Sequence, residues 1–363
     1  MGLRDKLLKE SSLKHSGMLS DSVTYNRRDF YPTQVPMINV ALSGMLDGGV
    51  SAGVTAWCGP SRHFKSLFTL ISAKAYLDAK IDDPEACILC YDSEFGTPPS
   101  YFEAVGIDPN RVVHIPIMNY EELKFDIAKK LDAIEEKDNV FIMVDSLGNL
   151  ASKKEAADAL KENSAADMTR AKENKSLFRI VTPHLRIKNM PMHVVQHTYD
   201  TMEMYSKKVV SGGQGTMLAA DNVYILGRQQ DKDGTELNGY NFIINVEKSR
   251  YVKEKSKIPI TVGFEGGIKR WSGLLDLAVE GEFISKVSTQ SYCLIDQETG
   301  EVLEDVKYKR KEVEYDSKLW ESMIKNPKFK EYVEKKYKVS YGKLISEEDD
   351  QESINKFTQS EEE

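Results

Sequence analysis

Apolar positions along this chain alternate between two periods. VTAWC, residues 54–58, is a short β-branched and aromatic run that suits a buried strand, and SLFTLISAKAYLDAK after it spaces its apolar residues as a helix does. The alternation continues with CILCYD as a strand, SYFEAVGI as a helix, RVVHIPI as a strand, YEELKFDIAKKLDAIEE as a long helix and NVFIMVD as a strongly apolar strand. A helical stretch from about Lys153 to Lys188 follows, then the strand MHVVQH, a polar loop around residues 199–215, and the strands NVYILG and NFIINVE. This order predicts an α/β fold: a mostly parallel twisted sheet flanked by helices, with antiparallel strands near its end. There are no internal repeats, and past about residue 285 no site motif appears. Residues 1–35 read as a polar opening with an amphipathic start, closed by YPTQVPMIN, whose prolines suggest a linker.

Between the first strand and its helix lies GPSRHFKS, residues 59–66. A phosphate-binding loop reads G-x-x-x-x-G-K-[ST]; its backbone N–H groups cradle phosphate, its lysine reaches the outer phosphates and its hydroxyl binds Mg²⁺. Gly59, Lys65 and Ser66 stand where that chemistry needs them, but Phe64 replaces the second glycine. Only some positions of such a loop need φ > 0, so Phe64 is accommodated if its dihedrals are ordinary. The nucleotide-binding stretch is thus Gly59, Pro60, Ser61, Arg62, His63, Phe64, Lys65, Ser66 and Leu67, and the implied cofactors are ATP and Mg²⁺.

NVFIMVDSLGNL, residues 139–150, ends its strand on Asp145, and an acid at a carboxyl strand end points into the crevice where ligands bind. Asp145 is accordingly the second expected metal group beside Ser66. CYDSEFG places Asp92 and Glu94 at another strand end. Hydrolysis needs a group to position or deprotonate the attacking water, and Glu94 is the candidate; the plainer alternative is a loop acid that caps the next helix.

Composition narrows the class. With 363 residues and 40% hydrophobic content the chain is long enough to bury a full core. No apolar run approaches a membrane span, and the start lacks a secretory signal or a myristoylation motif, so a soluble protein is expected. Four cysteines, Cys58, Cys87, Cys90 and Cys293, make no disulfide framework. Cys87 and Cys90 share a strand and face opposite sides, while His193 and His197 lie about 13 Å apart along another, so neither pair makes a metal site. The net charge of −8 is concentrated: residues 347–363 hold eight acids and one lysine, a net of −7, which leaves −1 for the rest. Such an end reads as a solvated tail, or as a competitor of polyanions for basic surface.

GPSRHFKS, YDSEFGTPPSYFEAVGID, VFIMVDSLGNLASKKEAADAL, DMTRAKENKSLFRIVTP and NVEKSRYVKEKSK together resemble the RecA-type recombinases, most closely their phage UvsX branch, over about residues 35–280. That branch also carries phenylalanine in the P-loop; the last eighty residues resemble the family weakly. The resemblance implies an N-terminal oligomerisation segment and linker (1–35), a RecA-like P-loop ATPase core (36–285), a small C-terminal domain (286–345) and an acidic tail (346–363). It implies a DNA-dependent ATPase that coats single-stranded DNA as a helical self-assembled filament and exchanges strands with homologous duplex DNA. Its expected partners include a single-stranded-DNA-binding protein and a recombination mediator, in the cytoplasm of an infected bacterial host.

Carried over by position, Tyr101 would stack on adenine, and Lys248 and Arg250 would reach across the subunit interface to a neighbour's γ-phosphate. His197 stands where relatives place a γ-phosphate sensor, though the pair here is Gln196 and His197. DNA would lie along 151–170 and 199–216, with Lys153, Lys154, Arg170, Lys207, Lys208, Gly212 and Gly213 as contacts. The alternatives are a hexameric RecA-core DNA helicase and a non-catalytic, nucleotide-gated DNA-binding accessory.

Overall fold

The computed structural model describes residues 2–22, 29–161, 168–201, 208–233, 236–264, 266–289, 291–303 and 307–339. Its main sheet contains β1 (Gly53–Gly59), β2 (Cys87–Asp92), β3 (Val112–Pro116), β4 (Val140–Asp145), β5 (Pro191–Asp200), β6 (Lys208–Val210), β7 (Asn222–Asp233), β8 (Glu236–Lys248), β9 (Lys257–Gly263) and β10 (Gly267–Ile268). They run in the order β10-β9-β8-β7-β1-β5-β4-β2-β3, with β6 paired to β5 outside that path. The six strands from β7 to β3 are parallel, and β8, β9 and β10 add on antiparallel. This is the expected α/β architecture.

Strand periodicity divides the core in two. Val54, Ala56 and Cys58 of β1 pack in one buried cluster with the helices Tyr120–Ala133 and Thr169–Ile187. Trp57, between them in sequence, enters the opposite cluster with the helices Pro36–Ser43 and Lys65–Ala79. There its ring stacks on Phe68 at 5.1 Å and lies 4.7 Å from Tyr224. Burying an aromatic of that size is worth on the order of 4–6 kcal/mol. Cys87 and Cys90 face opposite layers, and His193 is a core residue that accepts a hydrogen bond from Trp57 Nε1 at 3.2 Å.

One expectation about the architecture is corrected. The segment YPTQVPMIN is no linker: Tyr31, Val35, Met37 and Ile38 are buried, Tyr31 pairs with Val50, and Pro36 opens a helix whose eight residues are all buried. Proline here pre-sets the first helical turn, where its missing N–H costs nothing. The helical stretch expected from about Lys153 to Lys188 holds two helices, Lys153–Leu160 and Thr169–Ile187, and residues 162–167 lie outside the described chain. The C-terminal part holds the sheet β11-β12-β13 (Ile284–Lys286, Ser291–Leu294, Tyr308–Lys309) and three helices, the last being Pro327–Tyr337. Trp320 and Phe329 join the same core as Trp57. The acidic tail lies outside the described residues. Among the described residues no helix is long and apolar enough to cross a membrane.

Candidate active site

The carboxyl ends of β1, β2, β4 and β5 converge on the P-loop. Asp92 and Asp145 are register partners, as are Gly59 and His197. The helix Lys65–Ala79 begins without any side-chain cap, unlike Tyr120–Ala133, capped by Asn119, and Lys153–Leu160, capped by Ser152. Its first N–H groups and dipole therefore face the loop, as an anion site requires. Phe64 is not in an ordinary conformation: its φ is 52° and ψ 28°, left-handed, and Arg62 is also left-handed at φ 60°. Position 64 keeps the backbone geometry that a glycine would adopt freely, at a cost of roughly 1–2 kcal/mol. The ring of Phe64 meets Phe242 edge-on at 5.5 Å, while Arg228 donates to the Arg62 carbonyl at 3.2 Å, so β7 and β8 brace the loop crest.

Lys65 is buried and donates to Pro60 O at 2.9 Å. Burial lowers its pKa, opposed by the nearby Glu94 and Asp145 carboxylates. Ser66 Oγ donates to Asp145 Oδ2 at 2.6 Å and Thr97 Oγ1 to the same oxygen at 3.2 Å. Burial raises the Asp145 pKa, with those two hydroxyl bonds acting against it. The Ser66–Asp145 pair joins a hard hydroxyl to a carboxylate, the donor set that suits Mg²⁺. Among the described residues no group of three or more His, Cys, Asp and Glu side chains makes a metal cage.

Glu94 Oε1 accepts from His197 Nε2 at 2.8 Å and from Ser146 Oγ at 2.5 Å. The His197 bond above all, then the Ser146 bond and the charges of His197 and Lys65, depress its pKa to about 2 against the desolvation that would raise it. Asp92, 4% exposed, shapes the turn beneath: Oδ1 accepts from the backbone N of Glu94 at 3.0 Å and of Phe95 at 2.7 Å, and Oδ2 meets His114 Nε2 at 3.1 Å. Ser93 and Ser146 exchange hydrogen bonds of 2.8 and 3.0 Å and lock the two strand ends together. Gln196 turns the other way and donates to Ser211 O at 2.6 Å, so of the sensor pair it is His197 that faces the site.

The sequence does not announce Ser146, Thr97, His114 or the role of Asp92. They meet only through pairing between strands dozens of residues apart, although the Asp-x-Glu spacing after CY marks one half of the arrangement. Tyr101 is 55% exposed on the helix Pro99–Ala104, beyond the loop that carries Glu94.

Lys248 and Arg250 do not join this cluster. Lys248 pairs in register with Val223, and Arg250 meets the Asp221 carboxylate, next to Val54. The five residue steps of β1 from Val54 to Gly59 span about 17 Å, so the pair lies at the opposite end of the sheet from its own P-loop. Of the expected DNA contacts, Lys153 and Lys154 are exposed at the start of the helix Lys153–Leu160. Lys208 is exposed on β6, which forms a hairpin with β5 directly beyond His197. Gly212 and Gly213 form a left-handed turn at φ 80° and 78°. Arg170 is half-buried and turned inward, donating to Gly148 O, and Lys207 lies outside the described residues.

The chain is 45% identical over 339 residues to the "Recombination and repair protein" of Enterobacteria phage T4, covering 93% of this chain and 86% of that one. It belongs to the phage UvsX family of recombination and repair proteins. A family model described as "Bacteriophage T4, Recombination and repair protein, C-terminal domain" matches residues 271–333. The UvsX family signal therefore includes the C-terminal region, where the sequence reading carried nothing over. The UvsX relationship gives the chain a RecA-like core and a role in recombination and repair.

Proposed function

We propose that this chain is a DNA-dependent ATPase that polymerises on single-stranded DNA and pairs it with homologous duplex. The observation that carries this reading is the split of the machinery between the two ends of the sheet's strands. Lys65, Ser66, Asp145 and Glu94 gather at one end of the strands, while the basic pair Lys248 and Arg250 sits at the other, out of reach of its own P-loop.

In this reading Lys65 faces the outer phosphates, and the uncapped helix N-terminus holds the phosphate oxygens. Ser66 and Asp145 would hold Mg²⁺, which would supply charge neutralisation for the phosphates. Glu94, ionised and aimed by His197 and Ser146, orients the attacking water and accepts its proton. Tyr101 stacks on the base. The neighbour's Lys248 and Arg250 stabilise charge on the transferred phosphoryl group. The β5–β6 hairpin, with Lys208 on its leg, and the helix carrying Lys153 and Lys154 bind DNA phosphates without reading sequence. The hairpin starts one residue past His197, so in this reading one strand would link the DNA to the nucleotide. The helix Leu3–Glu10 buries none of its residues and exposes Leu3 and Leu7, which suits docking on another copy. A single-stranded-DNA-binding protein and a mediator are the expected partners, and the proposed compartment is the host cytoplasm.

Electron microscopy of the protein on single-stranded DNA with ATP tests this. Extended helical filaments are expected; closed rings, or no assembly, would overturn it.

A further inference from the structure

Asp221 lies just before β7, and its side chain is only 3% exposed. A carboxylate buried that deeply needs partners to offset its lost hydration. It has three. Val54 N donates to Oδ2 at 2.9 Å, and Oδ1 meets both the Arg186 guanidinium, from the helix Thr169–Ile187, and Nε of Arg250. The backbone makes room for this cluster. Gly53 has φ +107°, and a Cβ there would stand 2.1 Å from Asp221 Oδ2 and 2.9 Å from Arg186 Nη2.

Arg250 forms its ion pair with Asp221 through Nε, while its side chain stays 59% exposed. A guanidinium is a rigid planar fork, so holding one edge fixes the plane of the whole head. Lys248 is anchored from the same segment: its ammonium donates to Met217 O at 2.9 Å and Leu218 O at 3.0 Å, in the helix Gly215–Ala219. Burial lowers the Lys248 pKa, and Asp221 is the first charge acting against that. This short helix follows the Gly212–Gly213 turn, which comes directly after β6, and Asp221 lies two residues past its end. One stretch of ten residues, 212–221, therefore holds both members of the basic pair and follows directly on the hairpin assigned to DNA.

We propose that Asp221 is a positioning residue for the basic pair: it sets the plane of the Arg250 head toward a neighbour's phosphate and ties the pair to the base of the DNA hairpin. The proposal rests on the reading that Arg250 acts on the neighbour's nucleotide. Asp221 itself touches no reacting atom and works only through Arg250.

The test is a double-mutant cycle on the full chain, measuring ATP turnover with single-stranded DNA at saturating ATP and DNA. Asp221→Asn keeps an oxygen for Val54 N and removes the charge. It is expected to lower kcat on the order of tenfold, with KM for ATP nearly unchanged. Arg250→Lys keeps the charge but lacks Nε, and should lose a similar factor. In an Arg250→Ala background, Asp221→Asn should cost nothing further. A parental kcat for Asp221→Asn beside an impaired Arg250→Ala would overturn the proposal and leave the finger reading standing. Equal losses from Asp221→Asn in both backgrounds would reduce Asp221 to a structural acid and likewise overturn it. A parental kcat for Arg250→Ala would remove the finger reading and the proposal together. Should Asp221→Asn fail to fold, the exposed Arg250→Lys decides: a loss of kcat supports positioning through Nε, and a parental kcat overturns it.

Discussion

His197 Nε2 stands 2.8 Å from Glu94 Oε1, joining the end of β5 to the loop after β2. The bond fixes where the carboxylate points and keeps it ionised, with its pKa near 2. Glu94→Gln keeps the shape and removes the base, so ATP binding should persist while turnover falls by roughly 10²–10⁴-fold. Lys65→Ala removes the cation facing the phosphates and should abolish binding itself. Equilibrium binding of a labelled nucleotide beside steady-state turnover separates the two, and parental turnover in Glu94→Gln would remove Glu94 from the mechanism.

The same bond makes a titration prediction. A carboxyl whose folded pKa is depressed contributes stability above its unfolded value, near 4.5, which is lost as pH falls through about 2. Glu94 should therefore impose no acid limb on turnover between pH 5 and 9. In ¹³C NMR of labelled protein, His197→Ala should move the Glu94 carboxyl titration upward; an unchanged midpoint would assign the depression to another group.

His193 predicts an acid sensitivity of the same sign that begins at a higher pH. It is fully buried, burial lowers its pKa to about 3, and its Nε2 has no hydrogen-bond partner. The unfolded chain binds a proton there near pH 6.5 and the folded chain does not, so stability is full above 6.5 and declines as pH falls toward 3. The contribution is on the order of a few kcal/mol. His193→Asn offers Trp57 an oxygen and does not titrate. Denaturant unfolding from pH 7 to pH 4 should show a shallower loss in the variant than in the parent, and parallel losses would refute this.

Phe64 shows where local sequence and backbone part company. Its left-handed φ of 52° favours glycine, whereas the ring gains an edge-on contact with Phe242. Phe64→Gly relieves the backbone and Phe64→Ala does not, while both delete the ring. The glycine variant should then be more stable than the alanine variant by about 1 kcal/mol in denaturant unfolding. Alanine equal to or better than glycine would mean that position 64 adopts ordinary dihedrals in solution.

The parallel order of strands and helices, Lys65 with Ser66, and Asp145 about eighty residues on were legible because each depends on residue type at short spacing. Glu94 was legible as an acid past a strand end, but its bonds to Ser146 and His197 were not, since they arise where β2, β4 and β5 meet. The left-handed φ of Phe64 was not legible, because side-chain identity does not fix φ when a loop is held from outside, here by Phe242 and Arg228. Asp221 gave no signal at all. Its burial depends on Gly53, Arg186 and Arg250, brought together from a strand, a helix and a turn.

The central claim is that each site is completed by a neighbouring copy, and mixing two inactive proteins tests it most directly. Lys65→Ala supplies an intact basic pair with a dead P-loop, and Arg250→Ala supplies the reverse. In a random head-to-tail assembly about one interface in four pairs an intact P-loop with an intact finger, so an equal mixture should recover about a quarter of parental DNA-dependent ATP turnover. No recovery at any mixing ratio, with co-assembly of the two proteins verified, would place the finger within the same subunit or on another residue and contradict the shared site.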